Sequence, residues 1–370
     1  MLPKEETKRF YELALSFVPD VGPKTARTLL AKFHSPEEIF RAPLKELILI
    51  NGITEVRSRM FREASVLKQA EDELEFALKN NIEVLFLTNE NYPRRFIHCD
   101  DAPVLLYYKG NANLNSEKIV AIIGTRKNTD YGQRLTEDLI EGLSGLEDTV
   151  VVSGLALGID TIAHKSSLKN NIPTIGVVGH GLDTIYPHSN KALANEMLLH
   201  GGLLTEFPSG TKVERQNFPV RNRVVAGLSD VIIIVESEVK GGAMITAYVA
   251  HSYNRDVAAF PGRVYDSKSG GPNHLIKRNI AAMINGADDL LELMNWGKHE
   301  NSKAKQKQLF VELKPEEKTI YDLLKEKDSL HADELMFQTG FTSPQLAATL
   351  LQMEMQGFIK TLPGKHYRIN

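Results

Sequence analysis

Between Val120 and Phe260 the chain alternates short apolar runs with longer stretches whose apolar residues recur at helical spacing. Apolar runs of β-branched residues without polar alternation predict strands covered on both faces, as in a parallel sheet. The first run, Val120-Ala121-Ile122-Ile123, passes straight into Gly124-Thr125-Arg126. From there the pattern predicts helix near Asp130–Leu146, strand Thr149–Val152, helix Ile159–Lys169, strand Pro173–Val178, helix Lys191–His200 and strand Leu203–Glu206. It continues with helix Arg221–Leu228, strand Val231–Val235, helix Met244–Tyr253 and strand Val257–Phe260. Upstream, Ile82–Leu87 and Pro103–Tyr108 read as edge strands leading into this sheet. Strands separated by helical stretches imply right-handed crossovers and one parallel sheet with helices on both faces, a doubly wound α/β domain. Ligands of such sheets gather beyond the carboxyl ends of the strands, where this chain carries its glycines and arginines.

The flanks follow other patterns. Phe17–Arg27 predicts a helix, a glycine hairpin at Gly22 and a second helix, with Leu29, Leu30 and Phe33 continuing an apolar face; Leu49–Thr54 repeats the hairpin at Gly52. The plan resembles a helix-hairpin-helix domain, in which hairpin amides bind a nucleic-acid phosphate; Gly22, Lys24 and Thr25 are the residues placed for such a secondary contact. A purely structural helical domain is the alternative. At the other end, Lys318–Lys325, Ala332–Thr339 and Pro344–Gln356 are amphipathic, and Phe358–Lys360 and Tyr367–Ile369 flank Pro363-Gly364. Three helices and a hairpin predict a winged helix. Its usual reading helix, Ser343–Gln356, contains no Arg or Lys, which favours a protein-contact or folding role over base readout. His299–Gln308 is polar and lysine-rich, a solvated linker. The expected division is therefore 1–65 (helix-hairpin-helix), 66–297 (α/β), 298–312 (linker) and 313–370 (winged helix).

Composition narrows the chemistry. A net charge of −3 over 370 residues argues against a surface that is basic throughout, so any polyanion site must be a local cleft. The single cysteine, Cys99, rules out an internal disulfide framework, and the 11 histidines lack ligand spacing, so neither metal nor cofactor is expected. No apolar run reaches the roughly 20 residues of a membrane helix, and the first residues lack a signal-peptide core, which together predict a cytoplasmic protein. Neither G-x-G-x-x-G nor G-x-x-x-x-G-K-[ST] occurs, which leaves ATP hydrolysis without support.

At the strand ends, Gly124-Thr125-Arg126 is expected to turn sharply and hold an anion at the following helix, with Arg126 as a bidentate clamp. Ser153-Gly154 opens a loop of small residues, with Asp160 expected as a helix cap and His164 expected to hold Asp160 or a loop. Arg215-Gln216-Asn217-Phe218-Pro219-Val220-Arg221-Asn222-Arg223 interleaves cations with an aromatic ring, which suits single-stranded nucleic acid. The alternative packs Phe218 in the core and leaves the arginines to solvate a helix start. Lys240-Gly241-Gly242 before a helix is a second anion loop.

Taken together, Gly124-Thr125-Arg126, Ser153-Gly154-x-Ala156-x-Gly158-Ile159-Asp160, Tyr186-Pro187, Phe218-Pro219-x-Arg221-Asn222-Arg223, Gly241-Gly242-Ala243-x-x-Thr246-Ala247 and Pro261-Gly262 resemble the bacterial DNA-processing protein A (DprA/Smf) family. The resemblance implies an extended Rossmann-like sheet that binds single-stranded DNA, forms a homodimer and helps load the RecA recombinase in natural transformation and recombination. Its site would comprise Gly124, Thr125, Arg126, Ser153, Gly154, Arg215, Phe218, Arg221, Asn222, Arg223, Lys240, Gly241, Gly242 and Arg255. Family members commonly carry a serine where Thr125 stands and Ser-Gly-Ser where Gly241-Gly242-Ala243 stand, so this loop would act through backbone amides. The competing class is an enzyme, since the sheet also resembles the LOG-type nucleoside-monophosphate phosphoribohydrolases. Those need an acid shortly after the threonine; here Ala247-Tyr248-Val249-Ala250 follow Thr246.

Overall fold

The computed structural model describes residues 3–297, 314–327, 329–356, 358–362 and 365–369, which fall into two compact units, 1–297 and 298–370. The expected linker 298–312 and the Pro363-Gly364 turn lie outside the described residues.

The first unit begins with helices α1 (Lys4–Phe17), α2 (Pro23–Phe33), α3 (Pro36–Arg41), α4 (Leu44–Leu47), α5 (Glu55–Met60) and α6 (Ala64–Lys79). Ser35 and Thr54 cap α3 and α5 by accepting from Glu38 and Arg57 amides, each satisfying an otherwise orphaned donor. The expected boundary at 65/66 falls in the first turn of α6, which packs along α1. These helices bury Leu13, Leu29, Ile39, Phe61 and Leu74 in one core with Val84, Phe86, Leu105 and Tyr107 of the first two strands.

Those strands, β1 (Glu83–Phe86) and β2 (Leu105–Gly110), open a nine-stranded sheet. It continues through β3 (Lys118–Ile123), α7 (Asp130–Leu143), β4 (Thr149–Ser153), α8 (Ile159–Lys169), β5 (Thr174–Val177), α9 (Lys191–Met197) and β6 (Gly201–Thr205). Then come α10 (Asn217–Leu228), β7 (Val231–Ile234), α11 (Gly242–Ser252), β8 (Asp256–Ala259), α12 (Gly270–Lys277), β9 (Ala282–Met283) and α13 (Ala287–Leu293). Strand order is β1-β2-β6-β5-β4-β3-β7-β8-β9. The seven strands β3 to β9 run parallel, whereas β1–β2 and β2–β6 are antiparallel pairs, so the sheet is mixed where a purely parallel one was expected. Nor is β2 an edge strand: it pairs with both β1 and β6, and the helical module packs on one face of the β1–β2 pair through Val84, Phe86, Leu105 and Tyr107.

Helices α7, α8 and α13 pack on one face through Leu139, Ile140, Ile159 and Leu290; α10, α11 and α12 pack on the other through Val224, Ala247 and Leu275. From β3 the chain winds outward through β4, β5 and β6, then returns to lay β7 on the other side of β3. That reversal makes the crevice between the carboxyl ends of β3 and β7 a topological switch point. The unit closes at α13, whose end is a left-handed Asn295 with the Trp296 amide donating to the Leu291 carbonyl at 2.8 Å.

In the second unit, α14 (Pro315–Glu326), β10 (Leu330–His331), α15 (Ala332–Thr339), α16 (Ser343–Met355), β11 (Ile359–Leu362) and β12 (His366–Ile369) form a winged helix with strand order β10-β12-β11. Its core joins Ile320, Leu335, Leu350, Met353 and Ile359.

Candidate functional site

The switch point holds a 470 Å³ cavity lined by Gly124 to Lys127, Gly154, Ala156, Asp160, Phe218, Arg221, Asn222, Gly241 to Ala243, Ser237, Glu238 and Lys268, among others. The half-buried Phe218 ring is its aromatic lining residue. The Arg126 guanidinium carbon lies 5.2 Å from the ring centroid and that of Arg221 lies 5.9 Å away, both within cation–π range. Tyr186 flanks the same ring at 6.2 Å between centroids. An aromatic surface carrying an exposed cation is what an unpaired base and its phosphate require.

The two arginines differ in what surrounds them. Arg126 is exposed, in the loop after β3, and its guanidinium has no hydrogen-bond or ion-pair partner among the described residues. Arg221 is 5% exposed; it donates to the Gly154 carbonyl, to the Val177 carbonyl at 2.6 Å and to Asn222 Oδ1 at 3.1 Å. It therefore clamps the carboxyl ends of β4 and β5 from beneath the cavity. Asp160 faces it across Gly154, where a Cβ would come within 2.5 Å of Arg221 Nη1 and 2.7 Å of Asp160 Oδ2. Burial pushes the Asp160 carboxyl above its usual range, while Arg221 and the Ala156 amide hold it down.

Several expectations are corrected by this geometry. Gly124 does not serve a left-handed turn; a Cβ there would meet Ile159 Cγ1 at 2.5 Å, so it permits close packing of α8. The start of α7 is no open anion site, because the Glu236 carboxylate already accepts from the Thr129 amide at 2.9 Å and from the Thr129 hydroxyl. Among the described residues, the amides of Arg126, Gly242 and Ala243 at the cavity have no hydrogen-bond partner, the last two at the start of α11. Asp160 is in the first turn of α8 but caps the preceding loop through Ala156, and His164 bonds Thr174 Oγ1 at 2.7 Å rather than Asp160. Burial lowers the His164 pKa to about 3.

Not every expected site residue reaches the cavity. Ser153 is fully buried, its hydroxyl donating to the Ile122 carbonyl at 2.6 Å. Arg223 turns away to Glu206 and the Asp101 carbonyl; burial pushes the Glu206 carboxyl up to about 7, against the pull of Arg223. Arg255 lies farther off, donating to the Arg95 carbonyl at 2.6 Å and the Gly227 carbonyl at 3.3 Å. Arg215 and Lys240 are exposed but do not line the cavity. Gly22 lines a separate small cavity with Glu206 and Arg223, Lys24 is exposed, and Thr25 lies beside Gly52. Arg57 joins the two hairpins through the Gly52 carbonyl at 2.5 Å and Asp20 at 2.9 Å.

Two lining cations escaped the sequence, Lys127 and Lys268. Lys268 Nζ lies 3.5 Å from Thr125 Oγ1 and 3.3 Å from Glu238 Oε1. It stands in a loop with no motif of its own, and no sequence signal would have placed it beside Thr125.

Comparison with known proteins gives matches to three family models. Residues 83–295 match DNA recombination-mediator protein A, residues 304–365 the DprA winged helix domain, and residues 12–59 a SAM-like helix-hairpin-helix tandem. Protein Smf from Synechocystis is 32% identical over 98% of this chain and 99% of its own length. The X-ray structure of DNA processing protein A from Streptococcus pneumoniae superposes with a TM-score of 0.67 at 31% identity, covering 76% of this chain and 97% of that one. A structure of DNA processing protein A from Helicobacter pylori, concerned with its single-stranded DNA binding mode, gives 0.52 at 33% identity over 58% and 95%.

Proposed function

The chain belongs to the DNA recombination-mediator protein A (DprA/Smf) family, and from that premise we propose that its switch-point crevice binds single-stranded DNA. The observation that carries the reading is Arg126 lying over the Phe218 ring in an open cavity, with Lys127, Lys268 and the free amides of α11 around it. A base would stack on Phe218 while the adjoining phosphate meets Arg126 and the amides. Gly124, Thr125, Gly154, Arg221, Asn222, Gly241 and Gly242 shape the site; Arg215 and Lys240 would meet the strand outside it. Arg221 acts by holding the floor. Ser153, Arg223 and Arg255 support the fold around the crevice, and Gly22, Lys24 and Thr25 would offer at most a secondary phosphate contact.

On this reading the protein works in the cytoplasm as a homodimer that shields incoming or exposed strands and delivers them to the RecA recombinase. It is a binder rather than an enzyme: Asp160 is committed beside Arg221, Glu238 to Lys268, and Ala247-Tyr248-Val249-Ala250 after Thr246 hold no carboxylate. The helical module, the sheet and the winged helix are separate parts of that task. α16 has no Lys or Arg and exposes Leu351 and Met355, which suits protein contact.

The test is a salt titration of fluorescent oligo-thymidine binding with wild type and the Arg126→Ala/Arg215→Ala variant. Affinity should fall as salt rises, and the variant should bind at least roughly tenfold more weakly with its fold intact. Unchanged affinity in the variant would refute the assignment. Release of free base from nucleoside monophosphates would instead restore the enzymatic alternative.

A further inference from the structure

A second groove adjoins the crevice and shares one residue with it, Lys268. It encloses 960 Å³ between the start of α7 and the loop after β8, with Tyr131, Arg263, Tyr265 and Lys268 among its lining residues. Two features set it apart from an incidental surface hollow. First, Tyr131 is half-exposed yet fixed, because its hydroxyl donates to the Pro261 carbonyl at 2.9 Å, which holds the ring at one wall.

Second, the groove is also lined by an ordered turn that presents apolar side chains to solvent. The loop is anchored by Asn273, whose side chain accepts from the Gly262 amide at 3.1 Å and donates to the Gly262 carbonyl at 2.9 Å. The Asp266 amide then donates to the Arg263 carbonyl at 3.1 Å, closing a turn with Val264 and Tyr265 at its tip. Val264 is 83% exposed and Tyr265 99% exposed. Holding an aromatic ring wholly in water on an anchored turn does nothing for the fold; it suits a surface that a ligand will cover. Of the carboxylates in the lining, Glu236 is taken by Thr129 and Asp266 remains at the rim, against the cations Arg263 and Lys268.

We propose that this groove takes the next nucleotides of the same single strand, with Tyr131 and Tyr265 as stacking surfaces, Arg263 as a phosphate contact and Lys268 as the bridge between the two sites. The proposal rests on the crevice binding single-stranded DNA. Continuity through Lys268 selects this occupant, since a strand leaving Phe218 past Lys268 enters the groove directly. A protein partner on the exposed turn is the competing occupant.

The experiment measures affinity of the full chain for oligo-thymidines from about four to about sixteen nucleotides. For wild type, affinity should rise with length as the groove fills. The Arg263→Ala/Tyr265→Ala variant should match wild type on the shortest oligomer that binds and lose roughly tenfold on the longer ones. A variant that follows wild type at every length overturns the proposal and leaves the turn to a protein partner, while Arg126→Ala weakening all lengths would still uphold the crevice. Failure of wild type to bind any length would overturn both. Photocrosslinking of the wild-type protein with 5-iodouracil placed along a longer oligomer gives an independent readout. Adducts at Tyr131 or Tyr265 support the assignment, and adducts confined to the Phe218 site overturn it.

Discussion

Arg126 and Arg221 approach one aromatic ring, at 5.2 and 5.9 Å, but belong to different parts of the molecule. Arg221 is part of the floor: it is buried, satisfied by backbone carbonyls and balanced by Asp160. Arg126 is part of the rim, exposed and uncommitted. The same residue type serves architecture in one place and is left for a ligand in the other. Substitution should separate the two roles sharply.

The largest effect is expected at the floor. Arg221→Ala leaves the Gly154 and Val177 carbonyls without their donor and Asp160 without its counter-charge, a loss of about 3–5 kcal/mol. Urea unfolding would measure it, and a loss below about 1 kcal/mol would erase the distinction between floor and rim.

Next comes acid sensitivity beneath the same floor. His164 is fully buried with Nε2 unpartnered, and its pKa falls from 6.5 unfolded to about 3 folded. Between those values the unfolded chain binds the extra proton, so this contribution to stability is complete above pH 6.5 and is lost as pH falls towards 3. The expected slope is about 1.4 kcal/mol per pH unit in that window. His164→Asn should flatten it relative to wild type in unfolding curves at pH 7 and 5; parallel pH profiles would mean that the folded core admits the imidazolium.

At the rim the pattern reverses. Arg126→Ala should leave stability within about 0.5 kcal/mol while cutting single-strand affinity roughly tenfold and reducing the salt slope by about one phosphate. Thermal melts and salt titrations on the same preparation would check both, and a destabilised variant with unchanged binding would exchange the roles assigned to the two arginines.

The sequence carried much of this. Parallel strands, crossovers and the candidate crevice at their carboxyl ends followed from apolar runs and the residues at their ends. The direction of each arginine did not follow from the motif, although part of the signal was there. Phe218, Arg221, Val224, Val225 and Leu228 fall on one stripe of α10, so helical spacing already places Arg221 toward the core and Arg223 off that stripe. The antiparallel β1–β2 pair was harder to read, because four residues of β1 cannot specify direction and the helical module packs on it only through tertiary contacts. Lys268 and Tyr131 enter their sites through tertiary contacts to Thr125, Glu238 and Pro261, which no local pattern encodes. Glu236 is similar: a carboxylate at a strand end gives no sign in sequence that it will occupy the N-terminus of a helix after a different strand.

The smallest expected effect tests the comparison most finely, because it sets two adjacent glycines against each other. At Gly241 a Cβ would lie 2.3 Å from Ser237 Oγ and 3.0 Å from the Glu238 carbonyl, so Gly241→Ala must shift the loop and weaken stability and binding together. At Gly242 a Cβ meets nothing within 4 Å, and the backbone there is not left-handed, so the protein itself does not require glycine. Alanine at the start of α11 should therefore add about 0.5 kcal/mol of stability by restricting the unfolded chain. Yet Gly242 lines the cavity, and its amide is one of the free donors facing any anion there. If a DNA backbone approaches those amides closely, the added methyl group takes space the ligand needs, and affinity should fall a few-fold as stability rises. Opposite signs from one substitution would place Gly242 at the rim with Arg126, whereas unchanged affinity would put the strand away from α11 and leave Arg126 and Phe218 to hold it alone.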